Sequence, residues 1–239
     1  MRLTESVTLV GSGDAGLSSP YDCNVYAIDG PSGTVLVDTG SGLETEVILG
    51  QLPADFEPLV AAILTHAHAD HSQGSPDLPD DTTIYASNTT TSLLNNGDET
   101  QLGIDAAKRD GVYPNSYEFE TFDPDEHFSA GESITVGGLT LETVRVRGHA
   151  ADHVCYITTL DDRRVCFSGD VVYGDGSISL LNVPGSSLEG YREDLPALLE
   201  YDIEALFTGH GLPRLDRASE SITTAVENLR GMYVPDSAT

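Results

Sequence analysis

The chain has 239 residues and a mass of 25.4 kDa, enough for one large domain or two small ones around a buried core. Its 39 acidic residues against 11 basic residues give a formal net charge of −28, and the single lysine is Lys108. This balance argues against a nucleic-acid partner, because phosphates are neutralised by a cationic surface. No apolar run approaches the ~20 residues of a membrane span, so we expect no membrane insertion.

The acidic residues are spread over the whole chain and do not form a tail. Two interpretations remain open: a halophilic-type acidic surface that keeps the protein hydrated in high salt, and an acidic face for a basic partner. The scarcity of lysine beside abundant aspartate favours the first. The N-terminal residues lack the long apolar segment of a secretory signal, which predicts a cytoplasmic protein. The three cysteines form no CxxC pair, so reduced and buried thiols are expected.

In chain order, the first half begins with β-rich runs at 6–10, 23–28 and 34–38, the last two separated by a turn at Gly30–Gly33. Residues 43–52 have a helical pattern. Residues 58–64 form a continuous apolar run, typical of a strand that is buried on both faces. Residues 73–130 have the weakest pattern, and short helices between acidic loops are expected there.

The second half returns to strands, at 133–136, 139–147, 153–160, 163–168 and 203–208. Asp161-Asp162 predicts a tight turn between two of them. Residues 187–200 predict a helix with a capping box from Ser186 to Glu189, which Pro196 divides. A last helix is predicted at 216–230, with Asp216 as N-cap, Gly231 as its end and a frayed tail at 233–239. This order indicates a single α/β domain over 1–239.

Three histidines and an aspartate fall within six residues directly after the buried strand at 58–64, as His66-Ala-His68-Ala-Asp70-His71. Strand ends are where α/β proteins place their functional sites, because the sheet holds the loop rigidly. Imidazole and carboxylate ligands suit Zn²⁺, with Fe²⁺ or Mn²⁺ as alternatives. Four donors in one loop exceed what one tetrahedral ion takes from one loop, so the cluster favours two metal ions.

The motif His66-x-His68-x-Asp70-His71 resembles the signature of the metallo-β-lactamase fold hydrolases. Four further motifs resemble that family's pattern in the same order along the chain. They are Val35–Gly40 with its Asp-Thr-Gly turn, Gly148-His149, Phe167–Asp170 with its Gly-Asp, and Phe207–Gly211 with its Gly-His-Gly. Arg147 stands where the family usually has proline. The resemblance implies a four-layer αββα sandwich with a metal site at one edge of its two sheets.

The resemblance also implies a role for each ligand position. One metal would take His66, His68 and His149, the second would take Asp70, His71 and His210, and Asp170 would bridge them. Asp38 would hydrogen-bond to the metal loop and would not ligate. The two remaining histidines, His127 and His153, are expected to be exposed and structural, respectively.

The implied activity is that of a dinuclear zinc hydrolase of the glyoxalase II-like and lactonase-like branch. A metal-bound hydroxide would attack the carbonyl of a small ester, thioester or lactone, while Asp70 holds the nucleophile or shuttles its proton. Tyr173, three residues after Asp170, is a candidate donor to the developing oxyanion, as in some lactone-hydrolysing relatives. The partner expected is therefore a small-molecule substrate.

Residues 73–130 and 174–190 are expected to line the substrate cleft. Candidate wall residues are Leu93, Tyr113, Tyr173 and Leu181. Arg109 and Arg192 are the candidate cations for an anionic substrate group, unless they pair with the abundant carboxylates.

The alternative activity is that of a mononuclear iron persulfide dioxygenase, whose ligands would be His66, His149 and Asp170. Those relatives carry an Arg/Cys-rich stretch after the Gly-Asp motif. Residues 171–179 contain neither residue type. Because all seven ligand positions are also filled, the sequence favours the dinuclear hydrolase.

Overall fold

A computed structural model describes residues 1–231; the predicted frayed tail at 233–239 lies outside the described residues. The chain divides into two compact units. The first contains Met1–Ser129 with Thr135–Leu139, and the second contains Ala130–Ile134 with the residues from Thr140 onward. The single domain over 1–239 stays a prediction.

The first unit is built on a six-stranded sheet with the strands in chain order. The strands are β1 (Val7–Gly11), β2 (Val25–Gly30), β3 (Gly33–Val37), β4 (Leu59–Ile63), β5 (Thr83–Ser87) and β6 (Glu126–Phe128). The first three pair antiparallel, and β3 to β6 run parallel. Strands β1 to β4 confirm the predicted runs. Strands β5 and β6 lie in the weakly patterned region and were not predicted, because they are short and half exposed.

Short helices accompany this sheet. They are α1 (Thr45–Gly50), α2 (Ala69–Ser72), a 3₁₀ turn at Ser75–Asp77, α3 (Asn88–Asn96) and α4 (Ile104–Arg109). Helix α1 contributes the buried Ile48 to a cluster with Val25, Leu36 and Ala62 of the sheet. The last three residues of β4 are fully buried, so the loop that leaves it at Leu64 starts from a rigid point.

A second sheet has five strands in the order β11-β10-β9-β8-β7. Its strands are β7 (Ser133–Val136), β8 (Leu139–Arg145), β9 (Val154–Leu160), β10 (Arg163–Gly169) and β11 (Ala205–Thr208). Strands β8, β9 and β10 pair antiparallel, and β10 runs parallel to β11. Asp161 and Asp162 both have positive φ, at 51° and 59°, which is the backbone conformation of a type I′ hairpin turn. The predicted tight turn is confirmed.

Helix α5 (Leu188–Asp194), a 3₁₀ segment (Leu195–Tyr201) and α6 (Ala218–Arg230) complete the second unit. The predicted division at Pro196 is confirmed, since the regular helix ends before the proline. Two predicted caps are wrong. The side chain of Ser187, not Ser186, accepts the N–H of Gly190, and α6 begins after Arg217 without a bond from Asp216. Helix ends depend on the local backbone turn, which residue type alone does not determine.

No helix of residues 1–231 is both long and apolar enough to cross a membrane. The three cysteines, Cys23, Cys155 and Cys166, are free and buried, as expected.

Candidate metal centre

The loop after β4 brings four candidate ligands of the first unit together. The ligand atoms of His66 and His68 lie within 4.8 Å of each other, and so do those of His66 and His71. The Nε2 atom of His71 lies 3.4 Å from Oδ2 of Asp70. His66 and His71 are fully buried, whereas the Asp70 side chain remains 20% exposed. Asp70 is therefore the acidic ligand candidate that solvent or a substrate can reach.

Asp38 holds this loop in place by hydrogen bonds. Its Oδ1 accepts the backbone N–H of Thr65 at 2.8 Å, and its Oδ2 lies 2.8 Å from Nδ1 of His71. When His71 donates its Nδ1 proton to Asp38, the opposite nitrogen, Nε2, is left bare for a metal ion. Asp38 itself is 1% exposed and has φ 60°, a left-handed conformation that aspartate tolerates. The contacts agree with the expectation that Asp38 hydrogen-bonds to the metal loop.

Thr65 extends the same arrangement to His66. Its hydroxyl lies 3.0 Å from Nδ1 of His66 and donates to Oδ2 of Asp38 at 2.9 Å. A relay from the imidazole through the hydroxyl to the carboxylate orients the His66 ring, in the way carboxylate–histidine pairs orient metal ligands. The sequence reasoning missed Thr65, although its position between the buried strand and the first histidine was visible.

The Asp-Thr-Gly turn holds the far side of the loop. The backbone N–H of Thr39 donates to the carbonyl of His71 at 2.8 Å, and Gly74 donates to Gly40 at 2.9 Å. A Cβ at Gly74 would lie 2.0 Å from the carbonyl oxygen of Thr39. Since only glycine permits that approach, the backbone of the turn packs directly against the backbone of the metal loop.

The second unit brings its own three candidate ligands together. Oδ2 of Asp170 lies 3.5 Å from Nε2 of His149 and 3.6 Å from Nε2 of His210. Asp170 stands at the end of β10, and His149 and His210 follow the ends of β8 and β11. Asp170 and His149 are buried, and His210 is 32% exposed at its side chain. One carboxylate oxygen thus faces two imidazole nitrogens.

A backbone carbonyl and a third histidine of this unit fix these ligands. Nδ1 of His149 lies 3.1 Å from the carbonyl oxygen of Ser179, which leaves Nε2 directed at Asp170. Nε2 of His153 accepts the backbone N–H of Asp170 at 3.1 Å. His153 therefore has a positioning contact, in line with the structural role expected for it.

The donor chemistry fits a transition metal in both units. Two ligand atoms about 2.1 Å from one ion, at tetrahedral angles, are about 3.4 Å apart. The separations of 3.4 Å in the first unit and of 3.5 and 3.6 Å in the second are close to that value. Each unit by itself thus holds imidazole and carboxylate atoms at the spacing of ligands that share an ion.

Cys23 lies beside this cluster, with its sulfur within 4.8 Å of ligand atoms of Asp38 and His71. Burial raises the pKa of the Cys23 thiol well above its usual range.

Tyr191, which no sequence motif singles out, lies under the ligands of the second unit. Its hydroxyl donates to the carbonyl of Ser179 at 2.9 Å and lies 3.2 Å from the carbonyl of Asp170. Burial, together with the charge of Asp170, raises the pKa of Tyr191 well above its usual value, so the phenol remains a donor. No pattern in the sequence distinguishes it from an ordinary buried residue of a helix.

Arg147, which replaces the usual proline, gains contacts that proline cannot make. Its backbone N–H donates to Oδ2 of Asp194 at 2.9 Å, and its guanidinium donates to the same carboxylate and to Glu193. The bidentate pair raises the pKa of Arg147 above its usual value. The segment before His149 is thus held by an ion pair with α5 in place of a rigid ring.

The four candidate wall residues of the substrate cleft are buried or half-buried. Tyr173 is buried and its backbone N–H donates to Ser177 at 3.0 Å, so its contact with a substrate stays a prediction. Tyr113 is buried in an apolar cluster against which Leu93 packs, and their place in a cleft wall stays a prediction. Leu181 is half-buried.

The candidate cations have other partners. Arg109 pairs with the neighbouring Asp110 at 3.2 Å, and Arg192 donates to the carbonyl of Leu229. Arg109 thus pairs with a carboxylate, as the alternative expected, whereas Arg192 contacts a backbone carbonyl. An anion-binding role for either residue stays a prediction. His127 lies in β6 and is 40% exposed at its side chain, as expected.

A family model described as the metallo-beta-lactamase superfamily matches residues 19–210. The chain belongs to this superfamily. Solved structures share its fold: the metallo-beta-lactamase GOB-18 from Elizabethkingia meningoseptica has a TM-score of 0.73 at 18% identity, covering 98% of this chain and 90% of that one. The subclass B3 enzyme BJP-1 of Bradyrhizobium japonicum has a TM-score of 0.71 at 19% identity, covering 97% and 91%. The fold predicted from the motifs, that of the metallo-β-lactamases, is confirmed.

Curated relatives are similar over most of this chain but are longer than it. One, an atrochrysone carboxyl ACP thioesterase of Aspergillus chevalieri, is 24% identical over 231 residues, 96% of this chain and 64% of the relative. Another, the lactamase-like protein aptB of Emericella nidulans, is 28% identical over 179 residues, 73% of this chain and 48% of the relative. The chain spans about half to two thirds of the length of the curated relatives it matches.

Proposed function

We propose that this protein is a metal-dependent hydrolase that cleaves acyl thioesters with two zinc ions. The proposed ligands are His66, His68, Asp70, His71, His149, Asp170 and His210. The observation that carries the proposal is the position of Asp170, whose Oδ2 atom faces Nε2 of His149 at 3.5 Å and Nε2 of His210 at 3.6 Å. A carboxylate between two imidazoles, at the spacing of ligands that share an ion, is what a bridging role requires.

The family and the named relatives support the proposed substrate class. Several of the similar curated proteins carry the name thioesterase. A thioester, an ester and a lactone share an acyl carbonyl that water attacks, so the same site suits all three. We rank the thioester first because of those relatives, and we place the chain with the glyoxalase II-like and lactonase-like hydrolases.

Bound zinc ions would supply Lewis acidity for the carbonyl and would lower the pKa of a coordinated water into the neutral range. The chain itself contributes proton transfer and orientation. Asp70 is suited to hold and move the proton of the attacking water, because its carboxylate is partly exposed while His66 and His71 beside it are buried. Asp38 and Thr65 orient the histidines, and a misplaced ring would lose the ligand geometry.

Tyr173 is proposed as the hydrogen-bond donor to the carbonyl oxygen of the substrate. It lies three residues after Asp170, in the short loop that Asp175 and Ser177 close by hydrogen bonds. A donor aimed at the developing oxyanion lowers the barrier to acyl transfer.

We also propose a cytoplasmic setting, a small-molecule substrate and no nucleic-acid partner. The net charge of −28 and the single lysine support the interpretation as a halophilic-type acidic surface. At molar salt the Debye length falls to about 3 Å, so such a surface no longer repels itself.

Metal content per chain is the experiment that tests the proposal. We expect about two zinc ions by elemental analysis of protein purified in high salt without added metal, and hydrolysis of thioesters in preference to lactones and esters. The variant His71→Ala is expected to lose metal, while His127→Ala, a histidine outside the ligand set, keeps it. About one iron per chain with oxygen consumption on a persulfide would contradict the proposal and identify a mononuclear dioxygenase using His66, His149 and Asp170.

A further inference from the structure

Helix α5 is packed directly against the backbone segment that carries His149. A Cβ at Gly148 would lie 2.3 Å from the ring of Tyr191, and a Cβ at Gly190 would lie 1.5 Å from the carbonyl oxygen of Arg147. Real Cβ atoms do not approach other atoms this closely, so both positions admit glycine only. The two glycines let one face of α5 lie on this segment without intervening side chains.

Polar contacts hold the helix in that place. The backbone N–H of Ser187 donates to the carbonyl of Gly148 at 2.8 Å, and Arg147 pairs with Asp194 at the other end of the helix. The helix is thus attached to the ligand segment at both ends. Tyr191, between these two attachments, is 0% exposed.

The Tyr191 hydroxyl lies where two ligand-bearing segments meet. It donates to the Ser179 carbonyl at 2.9 Å, the oxygen that also accepts the Nδ1 proton of His149 at 3.1 Å. It is also 3.2 Å from the carbonyl of Asp170. One hydroxyl therefore contacts the backbone of one ligand and the carbonyl that orients the other.

We infer that Tyr191 is a positioning residue that sets the orientation of His149 and Asp170 relative to each other. This inference rests on the proposed metal-binding function. The Ser179 carbonyl orients His149 only while that carbonyl is itself held in place, and the Tyr191 hydroxyl holds it. Without the hydroxyl, the carbonyls of Ser179 and Asp170 lose the donor that they share, and the Nε2–Oδ2 spacing is less constrained from this side.

The test is zinc affinity in Tyr191→Phe, which keeps the ring against Gly148 and removes the hydroxyl. We expect zinc to bind ~10–100-fold more weakly than in the wild type, as for other partners of metal ligands. The visible spectrum of the cobalt-substituted protein is expected to change, because it reports ligand geometry. The control is Thr158→Val, which removes a partly buried hydroxyl-to-carbonyl bond of 2.9 Å in the same unit, away from the ligands. Its zinc affinity and cobalt spectrum are expected to match the wild type.

Ser187→Ala provides a second variant should Tyr191→Phe not fold. It removes the hydroxyl that accepts the N–H of Gly190 at the start of α5 and leaves the Tyr191 side chain intact. Because the helix that carries Tyr191 is then held less firmly, zinc should bind more weakly than in Thr158→Val. Wild-type affinity and spectrum in folded Tyr191→Phe would overturn the inference while leaving the proposed function intact. An equal loss of zinc affinity in Thr158→Val would also overturn the inference, since removing any hydroxyl of this unit would then weaken zinc binding. A wild-type protein that binds neither zinc nor cobalt would overturn the proposed function, and the inference with it.

Discussion

The substitution Asp38→Asn tests whether a buried carboxylate sets the proton position on His71. The carboxylate accepts from Thr65 N–H and faces Nδ1 of His71, both at 2.8 Å. Asparagine keeps the shape, tolerates φ 60° and can still accept one hydrogen bond through its oxygen. Its amide group must then face the other donor. The clash is relieved when the proton of His71 moves to Nε2, the atom that would face a metal.

The magnitude follows from the contacts. We expect zinc affinity to fall by about 10–100-fold in Asp38→Asn, since a ligand with a proton on its metal-facing nitrogen must lose or move it before binding. In Asp38→Ala, three buried donors (the Thr65 N–H, the Thr65 hydroxyl and His71 Nδ1) lose their acceptor. At about 1–3 kcal/mol each, the loss is about 3–9 kcal/mol in total. That is a large part of the ~5–15 kcal/mol that holds a typical domain together, so this variant is expected to fold poorly.

The assay is zinc competition against a chromophoric chelator, with urea unfolding of the metal-free protein in parallel. Asp22→Asn is the matched control, because Asp22 is equally buried and accepts the N–H of Ser41 at 2.7 Å without touching a histidine. We expect it to keep wild-type zinc affinity. Wild-type affinity in Asp38→Asn, with its unfolding midpoint unchanged, would refute the assigned role of Asp38.

Four further outcomes are expected. Removing metal with a chelator should abolish hydrolysis, and adding zinc should restore it; activity that survives removal would contradict a metal-dependent reaction. Tyr173→Phe should lower kcat by ~10²–10³-fold with little change in zinc content if the phenol stabilises the oxyanion, and an unchanged kcat in a hydrolysis assay would make it a packing residue. Gly148→Ala should cost about 1–3 kcal/mol in urea unfolding, because its methyl group would overlap an aromatic ring; equal stability would mean that the helix moves freely. Burial by itself would raise the pKa of Asp194, but the hydrogen bonds and charge of Arg147 outweigh it, so folding lowers this pKa. The stability that this carboxylate adds is therefore present above its unfolded pKa of about 3.9 and is lost as the pH falls through the lower folded value. Asp194→Asn should therefore be less stable than the wild type at pH 7 and equally stable in strong acid, as acid titration of the unfolding midpoint will measure.

Much of the sheet structure could be predicted because strand signals are local. The run at 58–64 became β4, and the Asp161-Asp162 turn joins β9 and β10 as expected. Strands β5 and β6 could not be predicted, since each is short and is stabilised by its neighbours in the parallel sheet. The caps at Ser186 and Asp216 were wrong because neighbouring residues of similar chemistry compete for the same role, and the backbone turn decides between them.

The sequence by itself determined which residues can bind metal. The histidines and aspartates stand after apolar strands, and residue type decides donor chemistry whatever the fold. Only the tertiary structure decided which nitrogen of each ring is available and what holds the ring in place. Asp38 and His71 are 33 positions apart, and Tyr191 is 21 positions from Asp170. Such contacts depend on how distant segments pack, and a hydrogen bond requires atoms within about 3 Å of each other, a proximity that no spacing along the chain specifies.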